Sequence, residues 1–129
     1  MGLTFDTGAL IGLERSRHFM RKVYDTAVAN DVRITVPSAV VAEWWRLGVR
    51  EKERARILRS VTIDPVTEHV ARLAGGALTL VPGAHTIDAI VLASASQRGH
   101  EVIYTSDMPD LLALRDGVPQ FAAIRIEHA

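Results

Sequence analysis

Four carboxylates stand out in this sequence for where they fall. Asp6 closes the apolar run Leu3 to Phe5, and Asp107 closes Val102 to Tyr104 by way of Thr105 and Ser106. Glu43 lies among Val40, Val41, Ala42 and Trp44, and Asp88 among Ile87, Ala89, Ile90 and Val91. An ionised carboxylate in apolar surroundings is costly unless something neutralises it. Four such acids facing one another would repel, and a divalent cation would relieve the repulsion. The chain has no cysteine, so disulfides and thiolate sites are excluded and any metal must be held through oxygen or histidine. Hard carboxylate oxygens suit Mg²⁺ or Mn²⁺.

Bringing distant acids together requires a scaffold. Leu3 to Phe5, Val32 to Val36, Val61 to Ile63, Val102 to Tyr104 and Ala123 to Ile126 are short branched or aromatic runs of strand character. Between them fall helical stretches. One starts at Thr7, a second carries Phe19, Val23, Ala27 and Val28 on one face, and a third opens at Pro37 and Ser38, holds Trp44, Trp45 and Leu47, and stops near Gly48. A charged helix follows from about Arg50 to Ser60. The next starts at Pro65 and Thr67, and Gly75 and Gly76 in its middle suggest close packing there. Thr86 is placed to cap an alanine-rich helix over Ile87 to Gln97, and Leu111, Leu112 and Leu114 mark a last one. Strands alternating with helices predict an α/β sandwich, a mostly parallel sheet covered on both faces. In such sheets sites form beyond the carboxyl ends of strands, where Asp6 and Asp107 stand.

The segments LTFDTGALIGL, PSAVVAEWWR, TIDAIVLASA and VIYTSDMPDL, in that order, together resemble the PIN-domain family, and within it the VapC-like toxins of bacterial and archaeal toxin–antitoxin pairs. The resemblance spans nearly the whole chain and implies a single PIN domain over residues 1–129 with a PIN-like three-layer fold. It implies a metal-dependent endoribonuclease in which Asp6, Glu43, Asp88 and Asp107 are the catalytic acids. Asp6 and Asp88 would ligate Mg²⁺ or Mn²⁺ directly, and Asp107 would join them at the metal, orienting water or a second ion together with Glu43. Thr105 and Ser106 would lend hydrogen bonds, and Asp110 is a peripheral extra carboxylate. The partners implied are an RNA substrate, a second copy of the chain, and a VapB-like antitoxin whose tail blocks the acidic pocket. A catalytically inactive binding module on the same fold, and an RNA-processing nuclease outside any toxin–antitoxin pair, are the alternatives.

Each acid also has a structural reading: Asp6 and Asp107 as helix caps, Glu43 as a helix-surface residue, Asp88 as a charge favoured by a helix dipole. Arg46, one turn past Glu43, would contact a substrate phosphate or pair with that acid. Trp44 and Trp45 point in different directions, so at least one is expected to pack rather than stack on a base. His85 is expected to be exposed. The haloacid-dehalogenase pattern wants a second aspartate two positions after the first, where Gly8 stands, and a receiver domain wants a late lysine, whereas the last is Lys52.

The 129 residues are 48% hydrophobic, enough for one domain with its own core. Lysine plus arginine and aspartate plus glutamate both number 15, so the overall charge does not point to nucleic acid. The segment from Arg46 to Arg59 is locally basic, with Arg46, Arg50, Lys52, Arg54, Arg56 and Arg59 against Glu51 and Glu53, and is either a phosphate-binding stripe or a solvated helix face. Without a membrane-length apolar run or a secretory leader pattern, a cytoplasmic protein is expected.

Overall fold

Strands β1 (Gly2–Phe5) and β2 (Ile34–Pro37) are buried along their whole length, as expected of strands covered on both faces. The computed structural model describes residues 1–99 and 101–129. The remaining strands are β3 (Thr62–Asp64), β4 (Glu101–Thr105) and β5 (Arg125–His128). All pairings are parallel, in the order β3-β2-β1-β4-β5. From β1 the chain steps outward to β2 and β3, then returns across the sheet to β4 and β5. The direction reverses between β1 and β4, where connections diverge and leave a crevice beyond the strand ends. Register places Phe5 beside Tyr104, so Asp6 and the Ser106–Asp107 turn leave the sheet side by side.

The helices are α1 (Thr7–Glu14), α2 (His18–Ala29), α3 (Ser38–Trp44), α4 (Glu51–Arg59), α5 (Glu68–Leu80), α6 (Thr86–Ser96) and α7 (Met108–Gly117). α1 packs against α2 and α4, α6 packs against α5 and α7, and α3 touches both α1 and α6. Helix α6 buries Ala89, Val91, Leu92, Ala93, Ser94 and Ala95, which is why its sequence is apolar nearly all round. Phe5, Leu10, Leu13, Val36, Leu92, Ile103, Leu114 and Phe121 anchor the core, each contributing about 1.5–3 kcal/mol on burial. No described helix is long and apolar enough to cross a membrane.

Several expectations shift. Helix α3 ends at Trp44 rather than continuing to Leu47, because Trp45 turns extended and the Arg46 guanidinium donates to the carbonyls of Ala42 and Trp45. The cap of α6 is His85, not Thr86, and its side chain makes no capping bond. Gly75 and Gly76 have open space where a Cβ would stand, so no close packing requires them. On α2 it is Met20 and Ala27 that are buried, while Phe19 and Val28 are exposed. A 3-10 turn at Pro119–Phe121 delays the last strand, so β5 begins at Arg125 instead of Ala123.

Candidate active site and metal centre

Asp6 follows β1 and caps α1, accepting the Ala9 backbone N–H at 3.0 Å. The cap explains its position without exhausting its role. Burial pushes its pKa upward, against the lowering influence of the Thr105 hydroxyl and the Ala9 and Gly8 amides. Thr105 Oγ1 in turn accepts the Asp107 backbone N–H at 2.8 Å. This buried threonine thus fixes the backbone at Asp107 and adjoins Asp6.

Asp107 stands at the start of α7 but makes no side-chain capping bond, which leaves its carboxylate free for the crevice. Asp88, in the first turn of α6, faces it. One carboxylate oxygen each from Asp88, Asp107 and Asp110 lie within 4.8 Å of one another. Burial first, then the charges of Asp107 and Asp6, push the Asp88 carboxyl up to about 7. Asp107 is raised as well, by burial and then by Asp110. These shifts record negative charge that the described protein groups do not balance, the condition a divalent cation relieves. Half-buried carboxylate oxygens with no thiolate nearby form a donor set suited to Mg²⁺ or Mn²⁺. The residues fit the ion.

Asp110 therefore belongs to the tight group rather than its periphery. It lies one helical turn after Asp107, and that i, i+3 spacing was its signal in the sequence. Asp6 stands outside the 4.8 Å group but close enough to raise Asp88. His85 is exposed, with Nε2 3.9 Å from Asp110, on the rim.

Glu43 is exposed, not buried in an apolar helix as its neighbours suggested, because α3 is short and Glu43 lies on its solvent side. Thr7 donates a hydrogen bond to its carboxylate, joining α3 to the start of α1, a contact with no advance signal in the sequence. Arg46 forms no pair with Glu43 among the described residues and caps α3 instead. Trp44 is buried, as one of the two tryptophans was expected to be. The basic segment is partly consumed within the fold: Arg50 and Arg54 pair with Glu14, and Arg56 with Glu53.

Ser106 is exposed and passes close to Gly8, where an added Cβ would lie 1.9 Å from its Oγ, 2.7 Å from its Cβ and 3.1 Å from its backbone nitrogen. Only glycine admits the turn carrying Asp107 so near α1. Gly8→Ala is expected to push that turn outward and lower any metal-dependent activity by about tenfold or more. The double variant with Ser106→Gly should recover part of the loss, and a fully active single variant would refute the close-approach argument.

The PIN-domain family model matches residues 3–108. No curated protein matches the sequence. Among solved structures, the chain resembles one from VapBC2 of Rickettsia felis bound to a DNA fragment from its promoter, at 13% identity and TM-score 0.76, covering 100% of this chain and 99% of that one. It resembles a chain of a toxin–antitoxin complex from Klebsiella pneumoniae at 20% identity and TM-score 0.71, covering 93% and 94%. A chain of DNA-bound VapBC from Salmonella typhimurium matches at 16% identity and TM-score 0.73, covering 99% and 98%. At these identities the likeness is one of fold, and the family rests on the sequence match together with the strand-end acids. The chain belongs to the PIN-domain family.

Proposed function

We propose that this protein is a divalent-metal-dependent endoribonuclease and the toxin of a VapBC-type toxin–antitoxin pair. The observation that carries the reading is the convergence of Asp88, Asp107 and Asp110 within 4.8 Å, beside Asp6, at the point where the sheet order reverses. The likeness in fold to chains of toxin–antitoxin assemblies supports the biological role. Asp6, Asp88 and Asp107 would hold the ion, with Asp110 beside them. When bound, Mg²⁺ or Mn²⁺ supplies positive charge that stabilises the phosphate and eases deprotonation of the attacking water.

The chain's own groups prepare that chemistry. The Ala9 N–H holds the Asp6 carboxylate in place, so it need not reorganise. Without the ion Asp88 keeps its proton up to about pH 7, so metal affinity should weaken as the pH drops below that value. Glu43, held by Thr7 next to Asp6, and Ser106, next to Asp107, would orient water or substrate. Arg46 stands as a substrate-facing cation only if RNA draws it away from the α3 carbonyls. We further propose a single domain across residues 1–129, a cytoplasmic homodimer and a VapB-like antitoxin that occupies the acidic crevice.

The test is to incubate wild type and Asp6→Asn with total RNA in Mg²⁺, in Mn²⁺ and in EDTA, and to map the ends by sequencing. Discrete cuts from metal-loaded wild type alone are expected. An active Asp6→Asn protein would remove Asp6 from the catalytic set, and no cuts from either would favour an inactive binding module.

A further inference from the structure

Arg98, just beyond α6, gathers groups from β1, β3, β4 and α6 itself. Its Nε donates to Glu101 at 2.9 Å, Nη1 to Asp64 at 2.9 Å and to Ser94 at 2.8 Å, and Nη2 to Thr4 at 2.7 Å. Thr4 also donates to Glu101 at 2.8 Å. Thr4, Ser94 and Glu101 are buried, and the Arg98 side chain is 19% exposed. Thr4 lies two residues before Asp6 in β1. Ser94 lies six residues after Asp88 in α6, and Glu101 opens the strand that ends at Thr105.

We propose that Arg98 is a positioning residue that sets the axial place of α6 against β1 and β4, and so the spacing of Asp88 from Asp6 and Asp107. The inference rests on the metal-centre reading above. Helix α6 buries the small side chains Ala89, Ala93 and Ala95 beside Val91 and Leu92, a surface of uneven ridges whose packing is not directional in the way a hydrogen bond is. The guanidinium adds a directional pin to that packing. A helix is stiff along its axis, so fixing Ser94 fixes Asp88 roughly 9 Å away at about 1.5 Å per residue. Mg²⁺ demands near-ideal octahedral geometry, and displacements beyond about 0.5 Å loosen such a site. One cation serving two carboxylates, Asp64 and the buried Glu101, is a poor way to gain stability compared with apolar packing. It is an effective way to enforce one arrangement, because the planar fork binds in several fixed directions at once.

The experiment follows Mn²⁺ binding to the full chain by electron paramagnetic resonance, with folding checked by circular dichroism in EDTA, for wild type, Arg98→Lys, Thr4→Val, Ser94→Ala and Asp88→Asn. Lysine keeps the charge and loses the fork. Arg98→Lys is expected to stay folded and to bind Mn²⁺ about tenfold more weakly, with Thr4→Val and Ser94→Ala weakened by smaller factors. Unchanged Mn²⁺ affinity in folded Arg98→Lys would overturn the inference, whatever its melting temperature. If Arg98→Lys does not fold, the two hydroxyl variants decide, and wild-type affinity in both overturns it. If Asp88→Asn binds Mn²⁺ as well as wild type does, the metal-centre reading itself fails and the positioning role falls with it.

Discussion

Asp88→Asn is expected to abolish metal-dependent RNA cleavage and, in the same molecule, to stabilise the metal-free fold above pH 7. The activity loss follows from removing a carboxylate from the cation site. Charge stabilisation worth several kcal/mol, at about 1.4 kcal/mol per tenfold, makes it on the order of a thousandfold. The stability gain follows from the raised carboxyl. Its ordinary value is 3.8 and in the fold it is pushed up to about 7 by burial and by Asp107 and Asp6. Between those values the folded chain holds a proton that the unfolded chain has released, so this group's contribution to stability is complete below about pH 4 and is lost as the pH rises to 7. Above 7 the wild type carries an unfavourable charge that asparagine does not. Melting curves in EDTA at pH 8 should therefore place Asp88→Asn above wild type, and curves near pH 4 should bring the two together. A lower melting temperature for Asp88→Asn at pH 8 would show that the carboxylate is structurally satisfied and the site is not one of charge repulsion.

Glu14→Ala should produce the largest loss of stability outside the hydrophobic core. Glu14, at the end of α1, has a side chain only 4% exposed. It accepts from the Trp44 indole at 2.9 Å and from Arg54 Nε at 3.1 Å, and lies 3.2 Å from Arg50 Nη1. The Arg54 guanidinium, itself 12% exposed, also covers the Trp44 ring at 5.0 Å. This cluster joins the charged α4, which buries only Ile57, to α1 and α3. Truncating Glu14 leaves a largely buried cation and a buried indole N–H without their acceptor, at a cost of about 3–5 kcal/mol, a large share of the roughly 5–15 kcal/mol typical of a domain. Urea midpoints for Glu14→Ala, Arg54→Met and the double variant measure it. The double variant should be far less damaged than the sum of the singles, and strict additivity would show that the pair is not coupled.

The order of strands and helices was legible because each strand is short and apolar and each helix keeps its own period. Element ends were less so. α3 stops at Trp44 because Arg46 folds back on its carbonyls, and β5 starts late because its register is fixed by pairing with β4. Glu43 looked buried from its neighbours, but whether a helix residue faces the core depends on where the helix ends and what lies across from it.

The sequence by itself determined that four acids stand at strand ends or in helices, that no thiolate shares their work, and that a parallel α/β layer would carry them. Composition, period and local order are properties of the chain, and they need no partner to be read. Tertiary structure decided which acids meet. It drew Asp110 into the group with Asp88 and Asp107 and left Asp6 beside it, engaged half of the basic residues between Arg46 and Arg59 in ion pairs, and gathered Thr4, Asp64, Ser94 and Glu101 around Arg98. The Thr4–Glu101 hydrogen bond alone joins residues 97 positions apart. Such contacts are set by the reversal of strand order between β1 and β4, which only the packed sheet can fix.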